Sequence, residues 1–567
     1  MASNEMASPS FVMSLNNPPC ARFLAGTPKA DQHAMHDTRY RFQCASLDET
    51  AIAHLAALIA ATAQPGDLIA LDGDLGAGKT TLARALIRNL TGNPDEEIPS
   101  PTFTLVQTYE TSRMSAAHFD LYRLADPDEL IELGLDELLS SGIALIEWPQ
   151  RGGDLLPAER LTIAIADAAD ADTNHRDVEI SGTGLFAARA QRLEAILALL
   201  EKAGWSGPDV TIAYLQGDAS ARRYARIVRH ATSGTAETAV LMDWPRQPDG
   251  PPIRDGLPYS RIAHLAEDVR PFVAIAEALT HNTIAAPRIL AADLDHGLLL
   301  IEDFGDRVYG AELAAGADQK QLWQAALDVL VHLRSVRADQ PLPITGAGAE
   351  SEAWTLPSYD ADAMAIEVDL LADWLWPFAT GSAMPADLRS NYTRLWGALI
   401  GELQTLPRGW TLRDFHSPNL IWRPGESGLA RVGVIDFQDA MQGPMAYDVV
   451  SLFEDARVDV PPALETTLIE DYCRKASAID ATFDEQAFGF AYAALGAQRN
   501  TKILGIFARL AQRDGKPHYI AHMPRIWGYL GRCLQHPRLA DIKAFYDAHI
   551  FTLSRPPTKP PRRGAET

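Results

Sequence analysis

The sequence predicts an α/β domain followed by a two-lobed α+β domain. Three observations predict this. A glycine-rich loop, Gly73-Asp-Leu-Gly-Ala-Gly78-Lys79-Thr80, lies between a buried strand pattern and a helix pattern. Short strand signals recur after it, at Phe103 to Tyr109, Ala117 to Leu121, Ile143 to Ile146 and Leu161 to Ile165. A second run of strand-like segments, Val210 to Leu215, Tyr224 to His230, Thr238 to Met242 and Ile289 to Ile301, gives way after residue 310 to mostly helical periodicity.

Composition sets the outer limits. The chain has 567 residues, which at about 150 residues per domain suggests roughly three or four folding units. Hydrophobic residues make up 47% and charged residues 22%, an ordinary globular balance that excludes a largely disordered chain. The net charge of −24 argues against a broad basic field gripping nucleic acid. Cys20, Cys44, Cys473 and Cys533 lie far apart without a CxxC, which argues against a disulfide framework or zinc site and fits a reducing cytoplasm. No apolar run reaches the ~18 residues expected of a membrane span, and no secretory signal is seen.

Element by element, residues 1–37, rich in Ser, Pro, Asn and Ala, read as a disordered tail. Residues 38–188 read as the first domain. Within it Ser46-Leu-Asp-Glu49 forms a capping-box pattern ahead of a helix to about Ala63, and Gln64-Pro-Gly66 breaks that helix. Asp67 to Leu71 reads as a buried strand and Thr81 to Leu90 as a helix. Residues 189–552 read as the second domain, with a small lobe to about 305 and a large lobe from 306. It opens on an amphipathic helix from Ala190 to Ala203, and a further helix is expected from Ala263 to Leu279. Residues 553–567, rich in proline, read as a second tail.

The first motif has a direct chemical meaning. Gly73, Gly76 and Gly78 let the backbone curl so that N–H groups face phosphate oxygens, and the following helix turns its positive end toward them. Lys79 is placed to reach the phosphates and Thr80 to ligate Mg²⁺, with Thr81 a further nucleotide-binding candidate. Such a P-loop needs a second metal-side carboxylate after a buried strand. Glu147, at the end of Ile143-Ala-Leu-Ile146, and Asp120, in His118-Phe-Asp-Leu-Tyr-Arg123, are the candidates.

These motifs, with Ser100-Pro-Thr-Phe103 and Ile146-Glu-Trp148, resemble the TsaE family in order and spacing. The resemblance covers residues 39 to about 185. It implies an α/β P-loop NTPase that hydrolyses ATP with Mg²⁺ in the cytoplasm, in support of TsaB- and TsaD-like partners that transfer threonylcarbamoyl to tRNA adenosine 37. Contact with tRNA would be indirect, which agrees with the acidic charge. By the same resemblance Lys79 and Thr80 hold phosphate and metal, and Glu147 is the metal-side group. Asp120 is a catalytic carboxylate, and Ser100 to Phe103 form a switch-like loop.

The second motif is Leu412-Arg413-Asp414-Phe-His416-Ser-Pro-Asn419. Seventeen residues past Asn419 an apolar strand ends in Asp436, followed by Asp439. That spacing fits a phosphotransferase template in which Asp414 takes the proton of the attacking hydroxyl while Asn419 and Asp436 hold Mg²⁺ on ATP. The motif, with Gly217-Asp-Ala-Ser-Ala-Arg-Arg-Tyr224, Leu300-Ile-Glu-Asp-Phe-Gly305 and Tyr447-Asp448, resembles the aminoglycoside phosphotransferase family. Within that family it is nearest the AmgK group, which phosphorylates the anomeric hydroxyl of N-acetylmuramate and N-acetylglucosamine. The resemblance implies a two-lobed, protein-kinase-like fold and an amino-sugar substrate in cell-wall recycling.

Two departures stand out. Leu412 replaces a common histidine, and Met242 fills the expected small-lobe lysine position. No lysine occurs from residue 203 to residue 319. A phosphate-facing cation is therefore expected from Arg222, Arg223 or Arg226, with Ser220 in the covering loop and Glu302 at the hinge that faces adenine. His416 is a candidate substrate contact. Trp410, Trp422, Trp374 and Trp376 are candidate sugar-stacking residues or core. Three other readings stay open from sequence: a non-catalytic scaffold that regulates the ATPase, an active kinase on an aminoglycoside or choline-like acceptor, and a metabolite kinase in the first domain.

Overall fold

The computed structural model describes residues 39–111, 113–168, 174–207, 209–215, 222–230, 236–344 and 352–553. The expected tails and Ser220 lie outside the described residues, except Leu553, which packs against the core. Among the described residues no helix is long and apolar enough to cross a membrane.

The first sheet has seven strands: β1 (Arg39–Leu47), β2 (Leu68–Asp72), β3 (Val106–Glu110), β4 (Ser115–Asp120), β5 (Gly142–Glu147), β6 (Leu161–Asp167) and β7 (Arg176–Thr183). Their order is β1-β7-β6-β2-β5-β4-β3. The central strands β4, β5, β2 and β6 run parallel and the flanking pairs antiparallel. The run Ile143-Ala-Leu-Ile146 is buried on both faces, as a central parallel strand requires. The helices α1 (Glu49–Thr62) and α2 (Lys79–Thr91) pack on one face. The cap of α1 differs from the sequence expectation. Asp48, not Ser46, accepts from Ala51 N at 2.8 Å, because the helix starts at Glu49 and so places Ala51 in its first turn.

The second sheet has five antiparallel strands. Its first three are β8 (Val210–Leu215), β9 (Arg223–His230) and β10 (Ala236–Asp243), joined by Ile289–Asp293 and Leu298–Glu302. The expected helix from Ala263 begins later, at Arg270, because Ala263–Asp268 turns to meet the large lobe. Ala263 O accepts from Arg413, and Ala266 N donates to Asp439 at 2.7 Å. The large lobe is helical and centred on the 28-residue helix Glu485–Gln512.

The helix Leu185–Lys202 runs across the expected boundary at residue 188. Its apolar side, including Leu193, Ile196 and Leu200, belongs to one core with Ile52 and Leu55 of α1 and with Ile227, Leu241 and Leu300 of the second sheet. The strand period of two explains the partition: Ala225 and Ile227 face this shared core, whereas Tyr224 faces the cleft. Polar contacts pin the edges. Arg192 Nε donates to Asp243 Oδ1 at 2.6 Å, and Arg113 stacks 3.8 Å from the Tyr214 ring.

Candidate active sites

Three strand ends build the first site. Register pairs Leu71 of β2 with Glu147 of β5, and Glu147 with Asp120 of β4. The P-loop and both carboxylates therefore share the C-terminal edge of the parallel strands, where ligands of open α/β sheets bind. Gly73 is required twice over. Its φ is +138°, and an added Cβ would stand 2.3 Å from Ile165 O. Gly76 and Gly78 also adopt positive φ, and Gly78 caps α2.

Lys79 folds back onto its own loop, donating to Gly73 O at 2.7 Å and Asp74 O at 2.9 Å. Its ammonium lies 3.7 Å from the centre of the Trp148 ring. Burial pulls its pKa below the usual lysine range, although Glu147 and Asp72 oppose that shift. Thr80 Oγ1 donates to Glu147 Oε2 at 2.9 Å, and the other Glu147 oxygen meets His118 Nε2 at 2.9 Å. Thr81 is exposed on the first turn of α2. Asp120 is tied to the Ser100–Phe103 segment: its Oδ2 accepts from Thr102 Oγ1 at 2.6 Å and Ser100 Oγ at 3.0 Å. Sequence reasoning gave His118 and Trp148 no role. Their contacts join separate strands and leave no local signal.

A hairpin builds the second site. The strand Leu420–Trp422 pairs with Val432–Val434, so the chain returns to place Ile435 N 3.0 Å from Asn419 O. Asn419 Nδ2 donates to Asp414 O at 3.0 Å and lies 3.4 Å from Asp436 Oδ2. Asn419 Oδ1 is buried without a hydrogen-bond partner among the described residues. Arg413 and Asp436 hold positive φ, +73° and +60°, conformations that cost about 1–3 kcal/mol each unless the surroundings impose them. At Arg413 the surroundings do. Asp448 accepts from Leu412 N at 2.6 Å and Arg413 N at 2.9 Å. The Arg413 guanidinium pairs with the buried Glu367, which also meets Lys502 Nζ at 3.4 Å. Burial pushes the Asp448 carboxyl up to about 7 and Asp439 up to about 6.

The three candidate arginines part company. Arg222 enters the cleft and stands 2.9 Å from Asp436 Oδ1. Arg223 turns to the opposite face and binds Asp243, and Arg226 binds Asp303 and Asp306 beside the hinge. Met242 lines the cleft between the lobes with Val240, Ile301, Ile421 and Ile435. The Glu302 side chain pairs with Arg288 at 2.8 Å, and the residue lines that cleft beside Asp303 and Phe304. His416 is fully buried, and burial pushes its pKa well below the usual histidine range. Trp410 and Trp422 are core residues, and Trp374 and Trp376 pack against the core.

Comparison with known proteins agrees with both halves. Residues 46–178 match the family described as threonylcarbamoyl adenosine biosynthesis protein TsaE, and residues 211–486 match the phosphotransferase enzyme family. An N-acetylmuramate/N-acetylglucosamine kinase of Caulobacter vibrioides is 36% identical over 370 residues, covering 64% of this chain and 97% of that protein. Its counterpart in Pseudomonas aeruginosa is 32% identical over 343 residues, covering 60% of this chain and 89% of that protein. A tRNA threonylcarbamoyladenosine biosynthesis protein TsaE of Rickettsia bellii is 44% identical over 110 residues, covering 19% of this chain and 76% of that protein. The chain belongs to the TsaE family through its first part, and through its second to the phosphotransferase enzyme family beside the N-acetylmuramate/N-acetylglucosamine kinases.

Proposed function

We propose that the chain is a bifunctional cytoplasmic enzyme. Its first domain is an Mg²⁺-dependent ATPase that supports threonylcarbamoyl transfer to tRNA adenosine 37 through TsaB- and TsaD-like partners. Its second is an ATP-dependent kinase that phosphorylates the anomeric hydroxyl of N-acetylmuramate and N-acetylglucosamine in cell-wall recycling.

The convergence of Asp414, Asn419 and Asp436 at one cleft carries the kinase reading. Asp414 orients the acceptor hydroxyl and takes its proton as the phosphoryl group transfers in line. Adenine fits the apolar cleft beside Met242 and Ile435, and its edge meets the backbone near Glu302. Arg222 supplies the cation that a small-lobe lysine supplies elsewhere, with a forked donor set suited to phosphate.

The donor sets suit magnesium. The bare Asn419 Oδ1 and the Asp436 carboxylate are oxygen donors at one end of the cleft, and Thr80 with Glu147 is a second oxygen pair beside the P-loop. Among the described residues no cluster of three His, Cys, Asp or Glu side chains forms a cage. Bound Mg²⁺ would neutralise phosphate charge at each site. In the first domain Lys79 would leave its own loop for phosphate, Glu147 would hold the metal side with Thr80, and Asp120 would couple the Ser100–Phe103 segment to the nucleotide.

The test is an acceptor panel. The purified protein receives ATP, Mg²⁺ and, separately, N-acetylmuramate, N-acetylglucosamine, an aminoglycoside or choline, with product detected by mass spectrometry. A sugar 1-phosphate is expected. Phosphorylation of only the aminoglycoside or choline would overturn the acceptor assignment, and no product with any acceptor would favour the scaffold reading.

A further inference from the structure

Arg509 is a buried cation of the large lobe for which no ion pair is seen among the described residues. On the helix Glu485–Gln512, Gln498, Lys502 and Arg509 follow at intervals of four and seven residues. At 3.6 residues per turn they share one face. The first two are engaged: Gln498 Nε2 donates to Glu367 Oε2 at 2.8 Å, and Lys502 Nζ to Tyr447 OH at 2.8 Å. Arg509 is only 5% exposed, yet its Nε is buried without a hydrogen-bond partner among the described residues. It lies 5.6 Å from the Tyr259 ring, and its charged neighbour one turn on, Arg513, is already paired with Asp514 at 2.9 Å. Burial pulls the Arg509 pKa down, helped by Arg513 and against the opposing pull of Tyr259 and Asp514.

The position ties Arg509 to the second site. Tyr259 lies within the electrostatic reach of Glu367, Arg413 and Lys502 as well as Arg509. Arg413 immediately precedes Asp414, and Lys502 interacts with Asp414 electrostatically. The Arg509–Tyr259 pair therefore borders the same polar floor that supports the catalytic loop. Seven residues of helix separate Arg509 from Lys502, about 10 Å at 1.5 Å per residue, and both side chains are long enough to shorten that gap. A guanidinium accepts a carboxylate as two parallel charge-assisted bonds.

We infer that Arg509, backed by Tyr259, is the anion subsite of the acceptor pocket and takes the carboxylate of an acidic amino sugar. The inference rests on the amino-sugar kinase reading and adds a specificity determinant to it. N-acetylmuramate carries a lactyl carboxylate and N-acetylglucosamine does not, so Arg509 discriminates between the two acceptors.

The experiment compares steady-state kinetics of the full chain and its Arg509→Gln and Arg509→Lys variants on both sugars. Arg509→Gln is expected to raise KM for N-acetylmuramate at least tenfold, the scale of a lost hydrogen bond to a charged group. KM and kcat for N-acetylglucosamine should stay within about threefold, since that sugar has no carboxylate for the lost fork. Arg509→Lys is expected to recover part of the loss. The methyl ester of N-acetylmuramate, offered to the unaltered protein, should show the same rise in KM, which tests the subsite even if Arg509→Gln fails to fold. Equal effects on both sugars, or an ester as good as the acid, overturn the subsite and leave the kinase assignment standing. No phosphorylation of either sugar by the unaltered protein overturns the kinase assignment and the subsite with it.

Discussion

Arg222 Nη1 lies 2.9 Å from Asp436 Oδ1, with both side chains almost wholly buried. The cleft thus holds its cation against the carboxylate expected to face the metal, in a lobe where Met242 stands at the usual lysine position. The pair links the small lobe to the segment that follows the catalytic hairpin. Arg222→Ala is predicted to weaken ATP binding at least tenfold, the scale of lost charge-assisted bonds, and a nucleotide titration checks it. Arg223→Ala, on the opposite face, should change ATP affinity much less. Unchanged affinity in Arg222→Ala would remove this arginine from the phosphate site.

Glu367 gives a stability prediction. It is buried between Arg413 and Lys502, and replacing it leaves both cations without their carboxylate. Glu367→Gln should therefore cost about 3–5 kcal/mol in unfolding free energy, as expected for a broken buried ion pair. Denaturant titration at neutral pH measures it.

The same residue predicts a pH dependence. Burial raises its pKa, but Lys502 and Arg413 overcome that effect and hold it at about 2, below its ordinary value of 4.5. The folded pKa is depressed, so the contribution to stability is present above about pH 4.5 and is lost as pH falls toward 2. Unfolding curves between pH 3 and pH 5 should be steeper in pH for the unaltered protein than for Glu367→Gln. Identical slopes would contradict the assignment.

The shared core predicts that the two halves do not melt independently. Leu193 and Ile196 sit on the helix between the two sheets. Leu193→Ala or Ile196→Ala should each cost about 2–5 kcal/mol through the cavity it leaves. Both enzymatic activities should lose heat resistance together, measured as residual activity after graded heating. Loss confined to the ATPase would show that the helix serves the first sheet alone.

At the first site, Glu147→Gln removes a charge that both Thr80 and His118 meet at 2.9 Å. ATP turnover by the first domain should fall at least tenfold, in line with loss of a group acting on transferring phosphate. Sugar phosphorylation should be unchanged. A parallel fall in both activities would show that the sites are not separate.

Legibility in the sequence followed distance along the chain. Gly73 to Thr80 form one turn and are readable as a unit, as are Asp414 and Asn419. Asp436 was readable because a hairpin returns the chain after seventeen residues. His118 against Glu147, and Glu367 against Arg413, join residues brought together only by sheet register or helix packing, and no local spacing marks them. Arg222 and Arg223 were equivalent in sequence. The strand period separates them, but only once Tyr224 is known to face the cleft. The helix Leu185–Lys202 obscured the junction for a related reason: its apolar residues serve two sheets at once, so no break in pattern falls at residue 188.

On the proposed reading, one chain holds two separate nucleotide chemistries, the second acting on an amino sugar. Measuring sugar 1-phosphate formation and ATP hydrolysis in Asp414→Ala and Lys79→Ala tests it most directly. Asp414→Ala is expected to abolish sugar phosphorylation and spare sugar-independent ATP hydrolysis, and Lys79→Ala to do the reverse. Sugar 1-phosphate formed at the full rate by Asp414→Ala, or lost in Lys79→Ala, would contradict it.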